Sequence, residues 1–407
     1  MLKQGHTNPL NIVVIVAALG YFVDIYDLIL FSIVRIPSLR AMGIAPEMLK
    51  DAGVYLLNMQ MIGMLIGGIV WGILGDKKGR LSTLFLTILL YSLANIANGF
   101  VQTLNQYAVL RLIAGFGLAG ELGIGITLVS EVMTTETRAW GTSIVSGIGI
   151  VGAALAFFVA QWGWQQAYWV GGVLGLLLLA LRVYIHESGM FDKVKESGAK
   201  RGDFFSLFKS PKKFIKYISS IFVGIPVWFT IGILVTFSKE FGEALHIASP
   251  IDPGKSIMIH YFGAALGSIV TGVISQLLKS RKKALWIAIS CLSLLCVWYF
   301  SASGYSATLF YFILFLLGLA QGYWAVFITV ASEQFGTNIR STATTTVPNF
   351  VRGATVPMLM WWKYLTTSIG ILQASMIVGV VVIVLAVIAV FFLEESYGKD
   401  LDYLETD

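Results

Sequence analysis

Charged residues stand at five places where an apolar chain should not carry them. Asp24 and Asp27 interrupt a mostly apolar stretch from about residue 10 to 36 that ends near Arg35, Arg111 and Glu121 interrupt a second near 106–129, and Arg352 interrupts a third near 342–364. An ionisable group at that depth in hydrocarbon is costly unless paired or hydrated, so each marks a site of function. A carboxylate in such a cavity is set by competition: desolvation favours its protonated form and a nearby guanidinium its charged form. That competition is what proton-linked transport needs. At ~1.5 Å per residue, Asp24 falls near the midplane, with Asp27 a turn further out at the level of Arg111. An Asp27–Arg111 pair is therefore expected, either as part of proton coupling or as a static tie between two helices. Glu121 lies deeper on the same helix as Arg111. Arg352, near the midplane, is expected to anchor an anionic group of a substrate; the alternative is a structural pair with Glu121 or Asp24. Asn349, one turn before it, Gln321, Tyr323 and Trp324 on a neighbouring stretch, and Tyr26 between the two aspartates are candidate lining residues. His260, beside Tyr261, reads as a wall residue with a titratable ring.

The elements that position these groups must be membrane helices. Apolar residues make up 57% of the 407 residues and charged ones 12%, and the mean hydropathy is +0.80, far from a soluble domain. About twelve continuous stretches of ~20 residues are long enough to cross a bilayer as helix, without the short alternating segments of a β-barrel. The first is too long for a signal peptide and has no cleavage site after it, so it is expected to remain. With both termini placed in the cytoplasm, 20 of the 28 Lys and Arg fall on the inner side, as the positive-inside rule requires. The net charge of +6 then reflects topology, not nucleic-acid binding. Cys291 and Cys296 point to different faces of one helix and suit neither a disulfide nor a metal pair. No phosphate-cradling loop or nucleophile–base set is present, which argues against an ATP-driven pump or an enzyme.

The chain also repeats. Ser130, Glu131, Thr135 and Arg138 recur 202 positions on as Ser332, Glu333, Thr337 and Arg340, and Gly120 and Thr127 recur as Gly322 and Thr329. Two parallel halves of this kind suit alternating access about a central site and disfavour a channel. We divide the chain into an N-terminal six-helix half (1–186), a polar linker (187–213) whose Phe204, Phe205, Leu207 and Phe208 suit an interfacial helix, and a C-terminal half (214–407). The short acidic tail after Phe392 reads as solvent-bound. Gly63, Gly67, Gly68 and Gly72, and likewise Gly263 and Gly267, have the spacing of close helix packing.

After the second stretch comes Gly72-Ile73-Leu74-Gly75-Asp76-Lys77-Lys78-Gly79-Arg80. This loop resembles the loop 2–3 signature of the major facilitator superfamily, Gly-x-x-x-Asp-basic-x-Gly-Arg, and with twelve helices and the half-chain repeat the resemblance covers the whole chain. It implies an all-α fold of twelve transmembrane helices in two pseudo-symmetric six-helix halves. It also implies a cytoplasmic latch of Gly72, Asp76, Gly79, Arg80, Glu131 and Arg138, with Asp76 docking on the positive N-terminal end of the helix that starts near Ser341. In the second half, Gln276 replaces the aspartate while Glu333 and Arg340 are kept, so that copy is expected to be weaker.

Phe22-Val23-Asp24-Ile25-Tyr26-Asp27 and Arg111-Leu112-Ile113-Ala114-Gly115 followed by Ala119-Gly120-Glu121 resemble patterns of the metabolite:proton symporter branch, with Ile25, Ala114 and Ala119 as departures. Sugar and phosphate carriers share parts of them. The resemblance implies a secondary transporter that needs no cofactor beyond the proton gradient and carries a small anionic or zwitterionic organic solute. Asp24, Asp27, Arg111 and Glu121 would serve coupling, and Arg352 the substrate. A sugar or inorganic phosphate symporter is the alternative; a drug:proton exporter is less favoured, since the fifth helix lacks the Gly-Pro signature. The expected setting is a monomer in the lipid bilayer of a bacterial inner membrane, with both termini cytoplasmic.

Overall fold

The computed structural model describes residues 11–134, 137–181, 201–399 and 403–404. They form twelve helical spans and fit the expected all-α membrane fold. The spans are α1 (Ile12–Ala41), α2 (Leu49–Lys78), α3 (Arg80–Asn98), α4 (Leu104–Leu118 and Glu121–Val132), α5 (Arg138–Ile150 and Gly152–Ala160) and α6 (Trp164–Leu181). After the linker come α7 (Pro211–Phe229, running into a π-helical turn Thr230–Val235), α8 (Pro253–Leu277), α9 (Arg281–Phe300), α10 (Ala307–Gln321 and Trp324–Glu333), α11 (Arg340–Gly353 and Thr355–Ile369) and α12 (Ile371–Phe392). Eleven spans are apolar enough to cross a membrane by composition alone. The exception is α11, where Thr342, Thr344, Thr345, Thr346, Thr355, Asn349 and Arg352 are buried against protein instead of facing lipid.

Local chemistry sets the helix ends. Asn11, Asp252, Ser280 and Ser306 cap their helices by accepting backbone N–H bonds, and Thr103 with Gln106 forms a capping box, satisfying donors that have no partner within the helix. Gly79, at φ +107°, is the one residue between α2 and α3. That conformation is strained for any side chain, which accounts for the glycine in the motif. The repeat reappears as matched discontinuities. Helix α4 is broken at Ala119 and Gly120, and α10 at Gly322 and Tyr323, with Gly120 and Gly322 as repeat partners. Breaks of this kind are tolerated at membrane depth only where protein or a cavity surrounds them.

Glycines let backbones meet. A Cβ added at Gly63 or Gly67 would overlap the carbonyl oxygens of Leu112 or Phe116, so α2 lies directly on α4; Gly263 and Gly267 place α8 on α10 in the same way, against Phe315 and Leu319. Gly68 and Gly72 serve a different seam. They face Asn349 and Thr342 of α11, joining the first half to the second.

In the linker segment Phe204 and Leu207 are buried while Phe205 and Phe208 are exposed, and the Gly202 N–H donates to the Asn338 carbonyl at 3.0 Å. One expectation is overturned. The tail is not simply solvent-bound. Glu395 accepts hydrogen bonds from Ser280 Oγ and from the N–H groups of Arg281 (2.8 Å) and Lys282 (3.4 Å) at the start of α9, Ser396 Oγ donates to Glu333 at 2.8 Å, and the Thr337 N–H donates to the Tyr403 carbonyl at 2.9 Å. Partial burial pushes the Glu395 carboxyl up, but these hydrogen bonds outweigh it and hold it below the usual range.

Candidate functional site

At the centre, between the halves, lies a cavity lined by Tyr21, Ile25 and Leu28 of α1, Ile150 of α5, Val227, Trp228 and Ile231 of α7, Tyr261 and Ala264 of α8, Gln321 and Trp324 of α10, and Arg352 of α11. Its walls are thus aromatic and aliphatic, with one guanidinium. Arg352 Nη2 stands 3.8 Å from Asp24 Oδ2, too far for a hydrogen bond, and both side chains are buried. Arg352 Nη1 donates to Asn349 Oδ1 at 3.3 Å, Arg352 Nε has no protein partner, and the guanidinium carbon lies 6.0 Å from the Trp324 ring. Trp324 Nε1 donates across the interface to the Tyr21 hydroxyl at 3.1 Å. Buried donors without partners are costly; aimed at a cavity, they are ready for a ligand. Of the candidate lining residues, Arg352, Gln321 and Trp324 do face this space.

The other three are elsewhere. The Tyr26 hydroxyl donates to the Ala167 carbonyl at 2.7 Å and ties α1 to α6. The Tyr323 hydroxyl donates to the Val223 carbonyl at 2.9 Å and ties α10 to α7. Asn349 Nδ2 donates to the Ala119 carbonyl at 2.7 Å, at the α4 break, and thereby steadies Arg352 from behind. The expected Asp27–Arg111 ion pair is not formed. Arg111 donates instead to Gln60 of α2, below the rings of Phe31 and Tyr168 at 5.2 and 5.9 Å, while Asp27 packs against Gly171 of α6. Gln60 intercepts the guanidinium, a partner that spacing along α1 and α4 could not indicate. Glu121, at the α4 break, is buried and close enough to Asp24 for their charges to interact.

The end that carries the α2–α3 turn is closed by polar contacts between the halves. Asp76 accepts from the N–H groups of Ser341 (3.1 Å) and Thr342 (2.7 Å) and from the Thr342 hydroxyl (2.6 Å), where α11 begins. A carboxylate on a helix N-terminus meets unsatisfied donors and the positive end of the dipole. Glu131 Oε1 receives Arg80 Nη2 at 2.9 Å and Arg340 Nη1 at 3.4 Å, bridging the halves. Arg340 therefore joins the first-half cluster, and Glu333 pairs within its own half with Arg281 at 3.4 Å. Arg138 starts α5; its side chain lies outside the described residues. At the opposite end, Arg35 of α1 pairs with Glu240 beyond α7 at 3.1 Å and lies 4.7 Å from the Phe237 ring centre.

Sequence reasoning missed Tyr21, Trp228 and Tyr261. Only Tyr21 carried a signal: with Asp24, Ile25 and Leu28 it forms one helical stripe.

The family model described as Major Facilitator Superfamily matches residues 17–356. A probable 4-methylmuconolactone transporter of Cupriavidus pinatubonensis is 26% identical over 93% of this chain and 89% of its own. The 3-(3-hydroxy-phenyl)propionate transporter of Escherichia coli is 27% identical over 79% and 80%. A solved proton:xylose symporter bound to 6-bromo-6-deoxy-D-glucose superposes with a TM-score of 0.76 at 15% identity, over 96% of this chain and 97% of that one; it shares the fold.

Proposed function

Because the chain belongs to the major facilitator superfamily, and is a multi-pass membrane transporter and not an enzyme, we propose that it is a proton-coupled symporter of a small ring-bearing carboxylate. The observation that carries this reading is the Arg352 guanidinium in a cavity walled by Tyr21, Trp228, Tyr261 and Trp324. A guanidinium takes a carboxylate in bidentate fashion, and aromatic faces suit a flat ring. A sugar would want several amides, and Gln321 is the one amide side chain among the lining residues. Relatives named for a methylmuconolactone and a hydroxyphenylpropionate point to the same chemistry.

Coupling follows from competition for one cation. A substrate carboxylate that settles on Arg352 displaces Asp24, and a buried carboxylate stripped of its counter-charge is neutralised by a proton. Proton and substrate then load together. The charge tie between α1 and α11 is loosened at the same moment, which frees the halves to rock. Asp27 and Glu121, buried within reach of this exchange, are the further proton sites, and Arg111 is held ready by Gln60. In this reading the protein works as a monomer in a bacterial inner membrane, with the α2–α3 turn cytoplasmic and the proton gradient as its energy source.

Proteoliposomes with an imposed pH gradient test it. Wild type is expected to accumulate labelled benzoate and Arg352→Gln to lose binding, while Asp24→Asn exchanges benzoate down its gradient without proton-driven accumulation. Accumulation by Asp24→Asn at the wild-type level would overturn the coupling, and full binding by Arg352→Gln the substrate class.

A further inference from the structure

We propose that His260 fixes which end of the Gln321 amide faces the cavity, so that the carrier prefers ring acids that also bear a hydrogen-bond donor such as a hydroxyl. The inference rests on the ring-carboxylate reading and deepens it.

His260 is fully buried behind the cavity wall. Its Nδ1 lies 3.0 Å from the Leu314 carbonyl oxygen, and its Nε2 lies 3.0 Å from Gln321 Oε1. A carbonyl oxygen only accepts, so the proton belongs on Nδ1. In neutral imidazole Nε2 is then an acceptor and must meet a donor; the donor that Gln321 has is its NH2 group. The two ends of an amide exchange places by turning about its last bond. The satisfied neutral arrangement therefore puts the Gln321 NH2 on His260 and turns Oε1 into the cavity. The reverse arrangement, with Oε1 on Nε2, needs an imidazolium. No carboxylate forms an ion pair with His260 among the described residues. The Tyr261 ring stands edge-on at 5.9 Å, and Tyr21 and Arg352 line the cavity without hydrogen-bonding the imidazole. A buried cation in that setting is disfavoured.

The pair is also held firmly. At Gly318 the α8 and α10 backbones meet so closely that a Cβ would overlap the His260 carbonyl, and Gln321 is the last residue before the α10 break. The cavity thus has two readers: Arg352 for the carboxylate and Gln321 Oε1 for a donor. An acid without the donor leaves a buried carbonyl unpaired, which is how a site rejects an analogue lacking a hydroxyl.

Calorimetric binding of benzoate, the three hydroxybenzoates and the three formylbenzoates to the purified full chain tests this. At least one hydroxybenzoate is expected to bind about tenfold more tightly than benzoate, with its formyl counterpart, an acceptor only, well behind. His260→Phe is expected to collapse that ratio, and His260→Gln, which restores an acceptor at similar reach, to recover part of it. A purely structural histidine would instead leave the ratio intact while weakening every acid alike. The proposal is overturned if no hydroxybenzoate exceeds benzoate, if the formyl series is preferred, or if His260→Phe keeps the full ratio. Binding of none of these acids to folded protein would sink the ring-carboxylate reading itself, and this inference with it.

Discussion

Glu131 neutralises two buried guanidiniums at once, Arg80 from its own half and Arg340 from the other. Replacing it with glutamine keeps the shape and removes one counter-charge from each cation, although Asp76 still stands 3.4 Å from Arg80; breaking a buried pair typically costs about 3–5 kcal/mol. Glu131→Gln is expected to lower the melting temperature in detergent by several degrees, and Glu131→Asp by less. Single residues were legible in the sequence where depth alone marked them. Arg352 and Asp24 stood out because a charge in hydrocarbon needs a reason. Partners were harder. The pairing of Arg111 with Gln60 depends on which helices adjoin, and spacing within a helix does not reveal that. The cavity aromatics stayed hidden for a related reason: among 53 aromatic residues, nothing local separates a wall residue from a packing one.

Helix α2 shows how one element serves two seams. Gly63 and Gly67 bring it onto α4 within its half, whereas Gly68 and Gly72 bring it onto α11 of the other half. The spacing signalled close packing but not which face met which neighbour. The two faces should respond differently to added bulk. Gly63→Ala drives a methyl into the Leu112 carbonyl inside a rigid half, so it is expected to destabilise the fold by roughly 1–3 kcal/mol, read as a lower melting temperature. Gly68→Ala meets Asn349 Cβ, where a Cβ would stand only 2.6 Å away, across a seam that has to open in the proposed cycle. There the expected outcome is faster deuterium uptake at residues 340–353 with little change in melting temperature. Equal loss of melting temperature in both variants would contradict a movable seam.

At the scale of the whole molecule, the tail returns to the end closed by Asp76. Glu395 is held below the usual carboxylate range by Ser280 Oγ and the N–H groups of Arg281, Lys282 and Tyr397, so its contribution to stability is full above the unfolded carboxyl value of about 4.3 and fades as the pH falls through its lower folded value. Wild type is therefore expected to melt higher than Glu395→Gln at pH 7, and the gap to narrow once the pH drops below about 4. A gap that widened in acid would refute this anchoring.

Both ends of the bundle are fastened in this structure, but unequally. One end has the three bonds on Asp76, the double bridge through Glu131 and the returning tail. The other has the Arg35–Glu240 pair, with Glu240 about a quarter exposed (23%), and the more exposed Lys363–Asp51 pair at 2.9 Å, where water weakens such bonds. Arg35→Gln is accordingly expected to speed deuterium uptake at residues 238–244 while 340–353 stay slow. In kinetic language, the idle orientation of a carrier is set by the ratio of its two unlocking rates. In the proposed cycle, an empty molecule with a weakly and a strongly fastened end would wait with its weak side ajar. That would be the posture of a scavenger, collecting a dilute solute from the side opposite the α2–α3 turn.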